Sequence, residues 1–299
     1  MKTLSERALS PLLGLLLFLQ AGLVVTGGAV RLTGSGLGCP TWPRCTSGSY
    51  TPVPHQAQGQ VHAWIEFGNR LLTIALILVS LAALIAVIKS RRRDIRALAI
   101  GQLLGIFAQI PLGGITVLTH LNPIPVAGHF LLSIILIAFG TTLFARRKLN
   151  AIQPSPVPLR LWRLSKLHLG LVIAVIVVGT IVTGSGPNAG DASAPRFRFH
   201  LDQIAWLHAS IAIALAILTV AMYFLSRSNS ELRKRIGIFV AAVLLQSAIG
   251  FFQYYNGLPQ IVVGAHLVGV SLLWISAWRI HLATPSVSPK QEDQKSRTQ

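Results

Sequence analysis

Ionisable side chains are costly in apolar surroundings, so where this chain puts them among its hydrophobic runs points to its chemistry. The stretch HAWIEFGNR, residues 62–70, opens one of the most apolar regions of the sequence yet carries His62, Glu66, Asn69 and Arg70. At 3.6 residues per turn these positions share one helical stripe, within about 100° of each other. Glu66 is the only carboxylate inside any predicted span. Arg70 stands one turn further on and can neutralise it as an i,i+4 pair. Such a pair is compatible with a second role, because a carboxyl group in a low-dielectric site suits proton transfer.

Three of the nine histidines, His129, His208 and His266, fall inside apolar runs. Each lies about six to eight residues in from the same end of its helix, roughly 9–12 Å of rise. Each could simply hydrogen-bond a neighbouring helix. Their common depth, with two of them in repeat-equivalent positions, favours a shared ligand site. Neutral imidazole is the commonest metal ligand, and helices of a bundle can offer it to a planar macrocycle. Zinc is disfavoured, because no compact His/Cys/carboxylate spacing occurs. His168 and His281 fall at helix ends, His55 and His120 in loops, and His200 just before the sixth span.

Cys39 and Cys45, the only cysteines, lie in the loop segment GCPTWPRC. In an oxidising compartment a disulfide is favoured. It would staple the loop or, if exposed in so small a ring, be labile and redox-active. Trp42, Trp64 and Trp206 fit an aromatic belt at one interface.

The elements that must position these residues are helices. The 299 residues are 52% hydrophobic and 11% charged, against about 25% charged in soluble domains. Apolar windows can be drawn near 9–29, 63–88, 97–118, 125–145, 167–184, 203–225, 236–255 and 261–280. The first run is too long for a signal-peptide core and lacks a cleavage site, so it is expected to be a retained span. The net charge of +18 does not indicate nucleic acid, because its placement has another cause. Of the 26 Lys and Arg, 21 lie on the face that carries both termini. The positive-inside rule then puts both termini in the cytoplasm, with some attraction to anionic lipid, and the expected location is the plasma membrane.

The sequence repeats internally. TGSG occurs at 33–36 and at 183–186, and Gln109–His129 has the same 20-residue spacing as Gln246–His266. NPIPVAGH and LPQIVVGAH surround the two histidines. An even number of spans per copy keeps both in one orientation, related by a pseudo-twofold axis along the membrane normal. The expected fold is an all-α polytopic membrane protein of eight transmembrane helices in two four-helix bundles. The expected domains are an N-terminal bundle (1–150) with a long outer loop (31–61), a C-terminal bundle (151–283) and a disordered tail (284–299).

Together, VVTGGAVRLTGSGLGCPTWPRC, IEFGNR, PLGGITVLTHLNPIPVAGH and IVTGSGPNAGD make residues 10–282 resemble the haem A synthases. The resemblance implies an oxidoreductase that converts the C8 methyl of haem O to a formyl group. The conversion passes through hydroxylated intermediates, with water as the oxygen source. It implies haem b held by His208 and His266 as cofactor, and substrate haem O held by His129 in the N-terminal bundle. Glu66 matches the essential acid, Arg70 either keeps Glu66 ionised or meets a propionate, and Cys39/Cys45 match the outer-loop pair. The usual E-x-x-H-R motif reads EFGNR, so Asn69 stands at a ligand position; either His62 substitutes, or His129 binds alone. The second outer loop carries no cysteine. Implied partners are the farnesyltransferase that makes haem O (haem O synthase) and a membrane electron acceptor, in cytochrome oxidase assembly, and a homo-oligomer is allowed. A two-haem b-type electron-transfer protein is the alternative, and a transporter a weaker one.

Overall fold

The computed structural model describes residues 4–148 and 156–285. Eight helices order this chain: α1 (Leu4–Leu32), α2 (Gln60–Lys89), α3 (Arg93–Leu118), α4 (Pro123–Ala145), α5 (Leu159–Ser185), α6 (Leu201–Leu225), α7 (Ser230–Tyr255) and α8 (Gln260–Leu282). All eight are long and apolar enough to cross a membrane, and no strand occurs among the described residues. Each apolar window lies inside one helix, and the helices run past it by polar turns. Apolar side chains in mid-helix, such as Leu78, Leu104, Ile217 and Leu245, are more than 55% exposed. In water that would be an aggregating surface; in a multi-pass membrane protein it is the lipid-facing one.

The packing forms two rings. In the first half α1 packs on α2 and α4, and α3 on α2 and α4; in the second α5 packs on α6 and α8, and α7 on α6 and α8. Within each ring the diagonal partners, α2 with α4 and α6 with α8, do not pack on one another. The rings meet through α4 and α8, with α1 against α8 and α4 against α5. Trp274 Nε1 donates to the Ile134 carbonyl (2.7 Å) and Trp278 Nε1 to Thr142 Oγ1 (2.8 Å) across that seam. On the face away from the termini, Arg31 of α1 donates to the Thr183 carbonyl of α5, and Gly36 N–H donates to Gly190 O at 2.9 Å.

The repeat extends to turn geometry. α3–α4 and α7–α8 are joined by turns in which Leu121 and Leu258 adopt left-handed φ values of 61° and 60°. Each follows another left-handed residue, His120 or Gly257, and donates its N–H five residues back at 2.8 Å, to Thr116 or Gln253.

The polar tail begins later than expected. Thr284 is buried, with its hydroxyl 2.8 Å from Ser165 Oγ of α5 and within 3.3 and 3.1 Å of the Ile280 and His281 carbonyls at the end of α8. The remainder of that segment, 286–299, lies outside the described residues.

Candidate functional site

The polar stripe of α2 clasps the long loop that follows α1. Glu66 is 7% exposed. Its Oε1 accepts from Arg70 Nη2 at 2.6 Å and its Oε2 from the Cys39 backbone N–H at 2.6 Å. Arg70 in turn donates to the carbonyls of Cys39 (3.1 Å), Thr41 (3.3 Å), Arg44 (3.1 Å) and Pro43 (3.4 Å). The i,i+4 pair is therefore made, and it also fixes the backbone of residues 39–44. A guanidinium fork can serve a carboxylate and several carbonyls at once, which an ammonium cannot.

Cys39 and Cys45 are joined as a disulfide and both are fully buried. The exposure that would make a small ring labile is absent. Gln56 holds the loop from its other side, donating to the Gly38 carbonyl, and Gly38 presses on the backbone of His62 so closely that no side chain fits there. Trp64 and Trp206 are about half exposed, as an interfacial belt requires. Trp42 departs from that expectation. Its indole lies across α3 at Gly114, where an added Cβ would come within 2.5 Å of the ring. The clasped loop thus reaches from α2 to α3.

One residue before Gly114, the His129 imidazole of α4 rests on Gly113; a Cβ there would lie 3.3 Å from Nε2. Pro111 sits in the same turn of α3 and has no N–H to give the helix ladder. Gln109 Nε2 donates to the His129 carbonyl (3.1 Å) and to Ser133 Oγ (2.7 Å). The second half repeats the device. His266 of α8 rests on Gly250 of α7, and Gln246 Nε2 donates to the His266 carbonyl at 2.8 Å. His208 of α6 rests on Gly179 of α5.

His208 and His266 come from the diagonal helices α6 and α8 of the C-terminal ring. Their Nδ1 atoms are buried without a partner. Buried polar atoms are normally satisfied. Two imidazoles on diagonal helices of one ring, each resting on a glycine and each with a buried Nδ1 uncommitted, are a donor set that suits a metal-centred macrocycle. The residues present therefore fit a haem with two axial histidines.

The other α2 residues are committed elsewhere. Asn69 Oδ1 accepts from Thr26 Oγ1 of α1 at 2.7 Å. His62 Nδ1 is bonded at 2.8 Å to Ser35 Oγ, itself buried and paired with Thr33. The structure thus groups Glu66, Arg70, Cys39 and Cys45 at one point, seats His208 and His266 on diagonal helices of the other ring, and keeps His62 with the loop. Thr26, Ser35, Gln56 and the cradle glycines had not been singled out. Gln109 and Gln246 were visible as a repeated spacing whose purpose, bracing the histidine backbone, needed coordinates.

Residues 11–278 match the family model COX15-CtaA, described as cytochrome oxidase assembly protein. A protein named haem A synthase from Shewanella oneidensis is 26% identical over 277 residues, covering 84% of this chain and 82% of its own length. Proteins of that name from Geobacillus kaustophilus and Lysinibacillus sphaericus are 34% and 30% identical over 103 and 113 residues. Those two alignments cover 33% and 37% of this chain, and the chain spans only 30% and 35% of those relatives' lengths.

Proposed function

The chain belongs to the COX15-CtaA family of cytochrome oxidase assembly proteins, and from that premise we propose that it is a haem A synthase. The substrate is haem O, whose C8 methyl is oxidised through an alcohol and a geminal diol to a formyl group. Converting a methyl and one water to an aldehyde releases four protons and four electrons, so a membrane electron acceptor is required.

The observation that carries this reading is the chemical asymmetry between two copies of one fold. The C-terminal ring offers two imidazoles, His208 and His266, and no carboxylate inside its four apolar windows. Opposite the stretch Ile65–Leu76 stands Ile204–Leu215, in which Ala205 and Ala209 replace Glu66 and Arg70. The N-terminal ring adds a buried carboxylate, its guanidinium and a disulfide loop leaning on the helix that seats His129. A protein that only passed electrons would need two copies of the simpler half.

His208 and His266 would hold haem b, which when bound supplies a one-electron carrier. In the N-terminal ring His129 would hold the substrate iron. Glu66 would accept protons from the oxidising carbon or stabilise cationic character there, with Arg70 keeping the carboxylate in place. The loop 39–45 would shield the site from bulk water. The chain would lie in the plasma membrane with both termini cytoplasmic, drawing substrate from the farnesyltransferase that makes haem O.

The test is to supply haem O and an electron acceptor to the purified membrane protein and to measure the mass of the extracted haem. Product carrying the formyl group is expected. A preparation that keeps protohaem but returns haem O unchanged would leave only the electron-transfer alternative.

A further inference from the structure

The internal repeat places Asn69 where the second half has His208, so the two diagonal pairs are His208 with His266 and Asn69 with His129. Carboxamide oxygen is a weak ligand for haem iron, and in this structure it is already occupied by the Thr26 hydroxyl at 2.7 Å. The one other imidazole of the α2 stripe, His62, stands seven residues nearer the loop, about 10 Å of helical rise. It is bonded to Ser35, which is fully buried, and Gly38 packs directly on its backbone. Bringing His62 to the His129 level would dismantle that packing and slide a ring past the buried Glu66. Neither α2 candidate is free to face His129.

We propose that the N-terminal ring holds its haem through His129 alone and leaves the second axial position to a small exogenous ligand such as water, carbon monoxide or cyanide. The proposal rests on the reading of that ring as the substrate site. It assigns the two rings different coordination: six-coordinate with two imidazoles in the C-terminal ring, and one imidazole with an exchangeable site in the N-terminal ring. Asn69 and its Thr26 tether are then positioning residues that keep α2 out of the coordination sphere.

The experiment titrates carbon monoxide into the purified, dithionite-reduced protein loaded with haem O, with electron acceptor omitted so that no turnover occurs. A haem whose two axial histidines are held in place resists carbon monoxide, because one imidazole must first leave the iron. One carbon monoxide per bound haem O is expected, with a high-spin spectrum before addition and none of the gas on haem b. Asn69→His should convert the second haem to low spin and abolish its uptake, leaving the haem b spectrum unchanged. A wild-type second haem that is low-spin and inert to carbon monoxide overturns the proposal, and its conversion to a reactive form by His62→Ala would name His62 as the missing ligand. Undiminished uptake in a folded Asn69→His protein would leave the open axial site standing and overturn the positioning role given to Asn69. Should the variant not fold, the wild-type spectrum decides alone. Failure to retain any haem O beside haem b would instead remove the substrate-site reading on which the proposal stands.

Discussion

Glu66 accepts two hydrogen bonds from N–H donors, one on its own helix and one on the loop, and so serves as both structural anchor and proposed base. Glu66→Gln separates these roles. The amide keeps an acceptor for one of the two donors, so the loop should stay roughly in place, while the charge and the proton-accepting capacity go. Haem A formation should fall by at least about 100-fold, the scale of a lost general base, with the haem b absorbance unchanged. Mass analysis of extracted haem together with the reduced-minus-oxidised spectrum checks it, and near-normal product would remove Glu66 from the chemistry. The glycine cradles permit a sharper comparison. A Cβ at Gly250 would meet the His266 ring at 3.4 Å, an ordinary contact. Gly250→Ala should retain haem b, whereas the two further methyls of Gly250→Val should turn His266 out of line and lose most of it. Haem-to-protein ratio in preparations with matching circular dichroism is the measurement. The chemically scarce residues here were legible in the sequence, because a carboxylate or imidazole stands out against an apolar run. Thr26, Ser35 and Gln56 were not, since hydroxyls and amides are common and only the path of the chain brings them to their partners.

The turns between helices test how far the two copies are one element. Leu121 and Leu258 pay the same backbone cost, about 1–2 kcal/mol for a left-handed residue with a Cβ. Their side chains differ in what they receive in return. Leu121 is 9% exposed and packs on Gly36 and Gly190, joining the two outer loops, while Leu258 is only partly buried. Leu258→Gly should therefore be neutral or stabilising by up to about 1 kcal/mol. Leu121→Gly should be destabilising on balance, because burial of a leucine is worth roughly 1.5–3 kcal/mol. Thermal unfolding of the two variants in detergent separates them; equal shifts of the same sign would mean that the loop contact of Leu121 contributes nothing. At this scale the helices themselves were plain from the sequence, since apolar windows bounded by basic clusters leave little choice. Their ends were less so: α5 begins eight residues before its apolar window, because Arg160, Arg163 and Lys166 continue a helix that hydropathy alone does not include. The clasp was invisible at this scale, for a loop with cysteines and prolines says that it is folded, not what it is folded onto.

For the whole molecule, the proposed orientation of the two rings in the bilayer rests on the distribution of charge. The helix ends on the terminus-bearing face carry Lys89, Arg91, Arg92 and Arg93, then Arg146, Arg147 and Lys148, then Arg233, Lys234 and Arg235. On the other face only Arg31, Arg44, Arg196 and Arg198 occur, and three of the four have local work: Arg31 bonds Thr183, Arg44 donates to the Ser47 carbonyl, and Arg196 donates to the carbonyls of Ala194 and Pro187. On the proposed orientation the excess is a topological signal on the terminus-bearing face, which would put the disulfide loop on the opposite, oxidising side. Both native cysteines are locked together, so the protein offers no free thiol to confuse a labelling experiment. Ser47 in the clasped loop and Ser228 between α6 and α7 are both exposed and lie on opposite faces. In intact cells a membrane-impermeant maleimide should label Ser47→Cys directly and Ser228→Cys only after permeabilisation. The reverse pattern would put the disulfide in the reducing compartment, and with it would fall the expectation that the Glu66 clasp persists in the cell.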